Sequence, residues 1–230
     1  LSEAILMALA IAATARAHQL SPLILTVPYL SLTTVFLLVT SPLLKGGSPN
    51  SVGLSSILLI SIGLYLININ KTDTGLLGPF KKFSKEKGSQ LMLLVAVIYS
   101  VTANLDNLGI KEANLSLYLL SYSFVSAVLL FIYILVSRRL KEVSVSFKDF
   151  STLWRLVLFA CILSISILLS NYALRLAIVP YVISFKRLGV VLGTFAGILY
   201  FKEKENIFTR SLGFMCVTLG AILIVLYGKN

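Results

Sequence analysis

Histidine, cysteine and acidic residues are scarce in this chain, whose 230 residues include one histidine, two cysteines and nine aspartates or glutamates. A metal centre or a catalytic triad needs several such side chains brought together, and the lone His18 has no companions from which to build one. No Gly-Lys-Thr phosphate-binding loop occurs, which excludes a self-contained ATP-driven pump. We therefore expect neither an enzyme nor a bound metal or cofactor.

Charged residues are also sparse, at 13% of the chain against 57% hydrophobic residues, and the mean hydropathy is +0.94. Such an apolar composition excludes an ordinary soluble domain and indicates a polytopic membrane protein. Cys161 and Cys216 both fall inside apolar runs, where cysteine behaves as a small apolar side chain, so no disulfide framework is expected.

Long apolar runs follow one another along the chain, and seven of them are long enough to cross a bilayer core as helices. An eighth run at the N-terminus is shorter, and because the chain starts at Leu1 we expect an upstream portion to be missing. The predicted fold is an all-α bundle of about eight membrane helices, over residues 1–17 (the short run), 21–44, 51–69, 89–110, 115–136, 152–177, 180–201 and 208–227.

Basic residues outnumber acidic ones, and their distribution predicts the orientation of the chain in the membrane. Of the 20 lysines and arginines, fourteen fall in the junctions on one side, including 71–88, and four on the other. The basic side is predicted to be cytoplasmic, with the C-terminus outside and a plasma, or inner, membrane location. The net charge of +11 is thus explained by topology and lipid, and no nucleic-acid partner is expected.

Two cations, Lys186 and Arg187, lie about 10 Å inside the run 180–201 by the helical rise per residue. Charges inside a membrane need a partner or a purpose. Counting from the helix ends brings Asn104, Asp106, Asn171 and Arg175 to the same depth. Tyr181 is one of several tyrosines near span ends that could contact a solute or anchor a helix at the membrane interface. The predicted substrate-binding residues are Lys186, Arg187, Asp106, Asn104, Asn171 and Tyr181.

These cations have two interpretations. In the first, Lys186 and Arg187 attract an anionic or polar group of a solute in a central cavity, and Asp106 offsets part of their charge. In the second, Lys186 pairs with Asp106 as a buried structural strut, while Arg187 extends to the lipid headgroups. Two cations for one acid leave a positive surplus, which favours the first interpretation.

Glycines recur every four residues in the same run, at Gly189, Gly193 and Gly197. Small residues at this spacing let a neighbouring helix backbone approach closely. We expect these three glycines to serve helix packing rather than solute contact.

An internal repeat relates the two sides of the polar connection 71–88. Ser56 and Gly63 recur as Gly213 and Gly220, at a separation of 157 residues. An odd number of predicted spans intervenes, so the two copies run in opposite senses. Inverted repeats of this kind are typical of secondary transporters.

The stretches 21–70 and 185–224 together resemble the EamA-type branch of the drug/metabolite transporter superfamily. The strongest part is a small-residue-rich span, a Lys/Glu turn ending in Gly213, and a span containing Gly220. The resemblance implies about ten helices in two inverted five-helix repeats, with two helices missing here. It divides the chain into a partial first repeat (1–70), a basic connecting loop (71–88) and a second repeat (89–230).

This chain departs from the family pattern at positions that bear on function. The glutamate of the first repeat is replaced by Gly47, although its second-repeat counterpart is present as Glu203. An Asp-Lys pair often found in relatives is Asp106-Asn107 here.

The resemblance implies a secondary transporter that moves a small organic solute by alternating access. An exchanger of anionic metabolites and a non-transporting membrane scaffold or subunit are the alternatives. The expected partners are the solute and the lipid bilayer, and a homodimer is left open.

Overall fold

The computed structural model describes residues 2–21, 29–68, 86–136, 150–189, 191–192 and 207–228. Within these ranges the chain forms eight helices of eight residues or more and no strands, so the predicted all-α class is confirmed there. They are α1 (Ser2–Leu20), α2 (Leu32–Leu43), α3 (Ser51–Asn68), α4 (Lys87–Glu112), α5 (Leu115–Val136), α6 (Phe150–Leu176), α7 (Val179–Lys186) and α8 (Ile207–Tyr227).

Four of these helices are long and apolar enough to cross a membrane, over 87–112, 115–133, 151–176 and 208–227. They support the prediction of an integral membrane protein. The helices α2 and α3 are apolar but shorter. Parts of the other predicted spans, namely 1, 22–28, 69, 190 and 193–201, lie outside the described residues.

The most extensive helix contact joins α3 and α8, which run antiparallel. A Cβ added to Gly63 would lie 2.7 Å from the Gly213 carbonyl oxygen, and one added to Gly213 would lie 2.7 Å from the Gly63 carbonyl oxygen. Further along, a Cβ on Gly220 would lie 2.8 Å from the Ser56 carbonyl oxygen. Glycine permits this backbone approach, and the flanking apolar side chains fill the seam, among them Ile57, Ile60, Leu64, Val217 and Ile224.

A second group of helices is built around α4, which packs against α1 on one side and α2 on another. Ala10 and Ala17 of α1 are fully buried against Met92 and Val95 of α4. Helices from both sides of 71–85 therefore pack together. The division into a partial first repeat and a second repeat stays a prediction.

The helices α5 and α6 are covered least by the rest of the protein. None of the residues in their most apolar windows is buried, and Phe124 and Phe159 are among the exposed side chains. Apolar surface of this extent suits contact with lipid, in agreement with a membrane location.

The predicted span 180–201 is helical in its described residues except at Arg187, where there is a turn; residues 190 and 193–201 lie outside the described residues. α7 begins with Pro180 in its first turn, a position where the missing N–H costs nothing. It ends at Lys186, and Arg187 forms a turn whose N–H lies 3.2 Å from the carbonyl oxygens of both Ile183 and Ser184. This shared bond marks a tighter turn than the α-helix, and residues 188–189 and 191–192 are helical again.

Candidate functional site

A cavity of about 400 Å³ lies between α1, α2, α4 and the end of α7. Its volume falls in the range of small-molecule sites, roughly 300–1,000 Å³. The lining residues are Met7 of α1, Thr33 of α2, Tyr99, Thr102, Ala103 and Asp106 of α4, and Ile183, Lys186, Arg187 and Gly189 at and after the end of α7.

Three predicted site residues, Asp106, Lys186 and Arg187, come together in this cavity. Asp106 and Lys186 interact through space, but no salt bridge or hydrogen bond joins their side chains. Lys186 is exposed, and Arg187 is partly buried with its Nε lacking a hydrogen-bond partner among the described residues. The cationic end of the cavity therefore keeps hydrogen-bonding capacity that the described residues do not use.

Asp106 is instead bonded to α5. The Tyr118 hydroxyl donates a short hydrogen bond to Asp106 Oδ1. Gly109, one turn further along α4, leaves the space that the Tyr118 ring occupies. Tyr122 stacks on Tyr118 with ring centroids 6.2 Å apart, so the ring that bonds to Asp106 is itself packed against a second aromatic ring.

Glu3 of α1 is a member of this cluster that sequence reasoning missed. It is 7% exposed, and its carboxyl group interacts electrostatically with Asp106 and Tyr118. The available signal was an acidic residue at the start of an apolar run, which deserves a partner in any membrane helix.

Thr33 supplies a second unsatisfied polar group at the cavity. The residue is 1% exposed, and its hydroxyl has no hydrogen-bond partner among the described residues. Its neighbour Thr34 is equally buried but fully engaged, donating to the Ser31 carbonyl oxygen at 2.8 Å and lying 2.6 Å from the Ser61 hydroxyl. A buried hydroxyl without a partner is costly, which suits a role toward a bound molecule.

The two predicted asparagines do not line the cavity. Asn104 is buried, and its amide nitrogen donates to the Ser100 carbonyl oxygen at 2.7 Å and to Thr40 Oγ1 at 3.2 Å. Asn171 is also buried and donates to the Ile167 carbonyl oxygen of its own helix at 3.0 Å. Both share the predicted depth with Asp106 but have structural partners of their own.

Tyr181 also faces away from the charged cavity. Its hydroxyl lies 3.2 Å from Asn50 Oδ1 and packs against Gly53, which ties α7 to the start of α3. On its other side it lines an apolar recess of about 240 Å³ with Phe185 and Ile224. The contacts of Tyr181 are those of a residue that joins helices.

The predicted glycine stripe is described at one position only. Gly189 lines the cavity, and a Cβ added there would meet no heavy atom of the described residues within 4 Å. The close helix contact predicted for Gly189 is therefore not seen in this part of the chain. Gly193 and Gly197 lie outside the described residues.

Metal-binding chemistry has no candidate within the part of the chain that the structure describes, since no group of three His, Cys, Asp or Glu side chains is close enough to hold an ion. Cys161 and Cys216 are both free thiols.

The combined geometry is that of an apolar helical membrane protein with a charged cavity between its helices. Comparisons with known protein families and with characterised proteins find no match to this chain.

Proposed function

We propose that this protein is a secondary transporter of the EamA-type drug/metabolite kind, which carries a small organic solute by alternating access. The observation that carries the proposal is the charged cavity of about 400 Å³ within an apolar helical bundle. Its lining comes from α1 and α2, which precede 71–85, and from α4 and α7, which follow it. A solute held there touches both parts of the chain, as alternating access between two halves requires.

The contact of α3 with α8 supports an inverted repeat. The two copies of the predicted repeat are 157 residues apart, so Ser56 corresponds to Gly213 and Gly63 corresponds to Gly220. In the structure Gly63 contacts Gly213 and Ser56 contacts Gly220. Replacing each residue by its counterpart in the repeat exchanges these two contacts. The small residues that the predicted repeat relates therefore lie at the same α3–α8 contact, as packing between two inverted copies requires.

The charge of the cavity supports an anionic or polar group on the solute. Lys186 and Arg187 both line it, neither forms a salt bridge with Asp106, and Arg187 Nε has no partner in the described structure. Guanidinium and ammonium groups recognise carboxylates and phosphates through charge-assisted hydrogen bonds. An exchanger of anionic metabolites is the second candidate, and it rests on this same pair.

The first experiment is a thermal-stability screen of the purified protein in detergent. The library contains amino acids, nucleosides, sugar phosphates and cationic drugs, and Lys186→Met is tested beside the wild type. A ligand at a hundredfold its dissociation constant stabilises the protein by about 2.7 kcal/mol. Lys111→Met is the matched control, because Lys111 is an exposed lysine at the end of α4.

Flux then decides between a carrier and a scaffold. A transporter reconstituted in proteoliposomes gives saturable uptake of the stabilising solute, reduced by Lys186→Met and unchanged by Lys111→Met. A non-transporting scaffold or subunit gives no flux with any solute and copurifies with a partner protein.

We further propose a plasma-membrane location with the basic loops in the cytoplasm. Antibody access to tags placed in these loops tests the orientation.

A further inference from the structure

The loop that joins α2 to α3 rests on the start of α7. We call residues 45–47 the α2–α3 loop. Within it, the Gly46 carbonyl oxygen accepts a hydrogen bond of 3.0 Å from the Val179 N–H. Shortly after it, Asn50 Oδ1 accepts a hydrogen bond of 3.2 Å from the Tyr181 hydroxyl. These two bonds join the parts of the chain before and after the basic connecting loop, at the end of the bundle that the charge distribution predicts to be the outer face.

Two glycines let the α2–α3 loop approach α4 and α7 closely. A Cβ added to Gly46 would overlap Asn104 Oδ1 and lie 3.1 Å from Val179 Cγ2. A Cβ added to Gly47 would lie 2.8 Å from the Cβ of Ile178. The backbone of the loop is therefore wedged between the two helices, and neither glycine leaves room for a side chain.

One apolar cluster connects the α2–α3 loop with the charged cavity. Val179, which bonds to the loop, is fully buried in this cluster together with Leu37 of α2 and Ala103 of α4. Ile183 of α7 packs against the same cluster. Ala103 and Ile183 also line the cavity. The cluster therefore touches the loop through Val179 and the cavity through Ala103 and Ile183.

The arrangement of the α2–α3 loop also has features that oppose it. Ser41 and Asn104 are fully buried beside the loop, and Ser41 Oγ and Asn104 Oδ1 have no hydrogen-bond partner among the described residues. The Gly46 N–H bonds to the Ser41 carbonyl oxygen at 2.8 Å, which places both groups next to the loop. Lys45 has a φ of +57°, a left-handed conformation that is uncommon for a lysine. Lifting the loop would relax Lys45 and admit water to the two unsatisfied groups.

We propose that the α2–α3 loop is a gate, which closes the cavity toward the predicted outer face in this structure and lifts off Val179 and Asn104 when that side opens. This inference rests on the transport function proposed above and assigns the element that closes one side of the cavity. Hydrogen bonds to α7 and the apolar cluster hold the gate shut, whereas the unsatisfied groups and the left-handed Lys45 favour its release. The two positions are therefore close in free energy, and a small perturbation shifts the population between them.

Access of a thiol reagent to the cavity tests the gate. The reporter is Gly189→Cys, because Gly189 lines the cavity and a Cβ there meets no heavy atom of the described residues within 4 Å. The two native thiols are removed by Cys161→Ser and Cys216→Ala. A charged, membrane-impermeant methanethiosulfonate is added to right-side-out and to inverted membrane vesicles, and the labelling rate of the reporter is measured from each side. We expect slow labelling from the side on which the α2–α3 loop lies.

Gly46→Ala is the opening variant, because its methyl group cannot share the space of Asn104 Oδ1. With the open form at about 10% of the molecules or fewer, making it the major form raises labelling from the loop side about tenfold or more. Adding Asn104→Ala to the same chain removes the overlapping atom and is expected to restore slow labelling. Gly63→Ala is the matched control, because it adds the same methyl group to the tight α3–α8 contact, and no change in labelling is expected.

Tyr181→Phe tests the gate by a second route and also serves if Gly46→Ala does not fold. It removes the hydroxyl that bonds to Asn50 and keeps the ring. Loss of one net hydrogen bond is expected to raise labelling from the loop side about 2- to 12-fold. Tyr133→Phe, at an exposed tyrosine of α5, is the control and is expected to have no effect.

The outcomes separate the gate from the transport function. Labelling from the loop side that neither Gly46→Ala nor Tyr181→Phe raises, or that Gly63→Ala raises equally, overturns the gate, and the flux assay then judges transport by itself. A rise from the loop side with a fall from the opposite side supports both the gate and alternating access. A rise from the loop side without that fall supports the gate and counts against alternating access.

Discussion

Gly63 of α3 and Gly213 of α8 lie face to face, each so close that a Cβ on one would sit 2.7 Å from the carbonyl oxygen of the other. No L side chain fits at this distance without a backbone shift, because the neighbouring atom is itself backbone. The pair sets how closely the first and last parts of the chain approach.

Gly63→Ala is therefore expected to separate two packed helices. Overpacking of this kind costs about 1–3 kcal/mol, and the additional methyl group meets a carbonyl oxygen rather than a flexible side chain. Thermal unfolding in detergent measures the loss. The control is Gly189→Ala, which adds the same methyl group facing open space and is expected to change stability by less than about 0.5 kcal/mol. Equal effects of the two substitutions would contradict the close α3–α8 contact.

Tyr118→Phe is expected to leave the Asp106 carboxyl without its described hydroxyl donor. Removing one partner of a charged or buried acceptor costs about 1–3 kcal/mol. The comparison is Tyr133→Phe, an exposed tyrosine on the same helix, for which a change within about 0.5 kcal/mol is expected. Thermal unfolding of both variants gives the difference, and equal stability would remove Tyr118 from the cluster.

Lys186→Met distinguishes a solute ligand from a structural strut. Breaking a buried ion pair costs about 3–5 kcal/mol, but Lys186 and Asp106 form no direct salt bridge and Lys186 is exposed. We expect the variant to fold with little loss of thermal stability and to lose the stabilisation by solute that the wild type has. If Lys186→Met fails to fold, Asp106→Asn restores folding and transport survives, the strut interpretation is correct.

Thr33→Val and Thr34→Val form a matched pair of adjacent buried threonines. Thr33 has no described hydrogen-bond partner, so its replacement is expected to leave stability unchanged or raised and to weaken solute binding by about 0.5–1.5 kcal/mol. Thr34 bonds to Ser31 and contacts the Ser61 hydroxyl, so its loss is expected to cost about 1–3 kcal/mol of stability. Melting curves with and without the identified solute measure both effects, and the reverse order would exclude Thr33 from binding.

The grouping of Asp106 with Lys186 and Arg187 could be predicted from the sequence. It depends on counting residues from a helix end at a known rise, and this count brought Asp106, Lys186 and Arg187 together as candidates. The structure has all three around one cavity. Their role in binding a solute stays a prediction.

Direction around a helix could not be predicted in the same way. Asn104 and Asp106 are two residues apart in α4, which turns their side chains about 200° from one another. Asp106 consequently faces the cavity, while Asn104 faces α2 and bonds to Thr40. Equal depth does not place two residues in one site.

The apolar sequence by itself determined that this chain forms membrane helices, since burial of long hydrophobic runs in lipid is a local property that needs no knowledge of neighbours. Only the tertiary structure decided that Glu3 interacts with Asp106, that Gly63 packs against Gly213, and that α7 ends at Lys186. The physical reason is that such contacts depend on which helix faces which and at what rotation. Packing between helices distant in the sequence sets both.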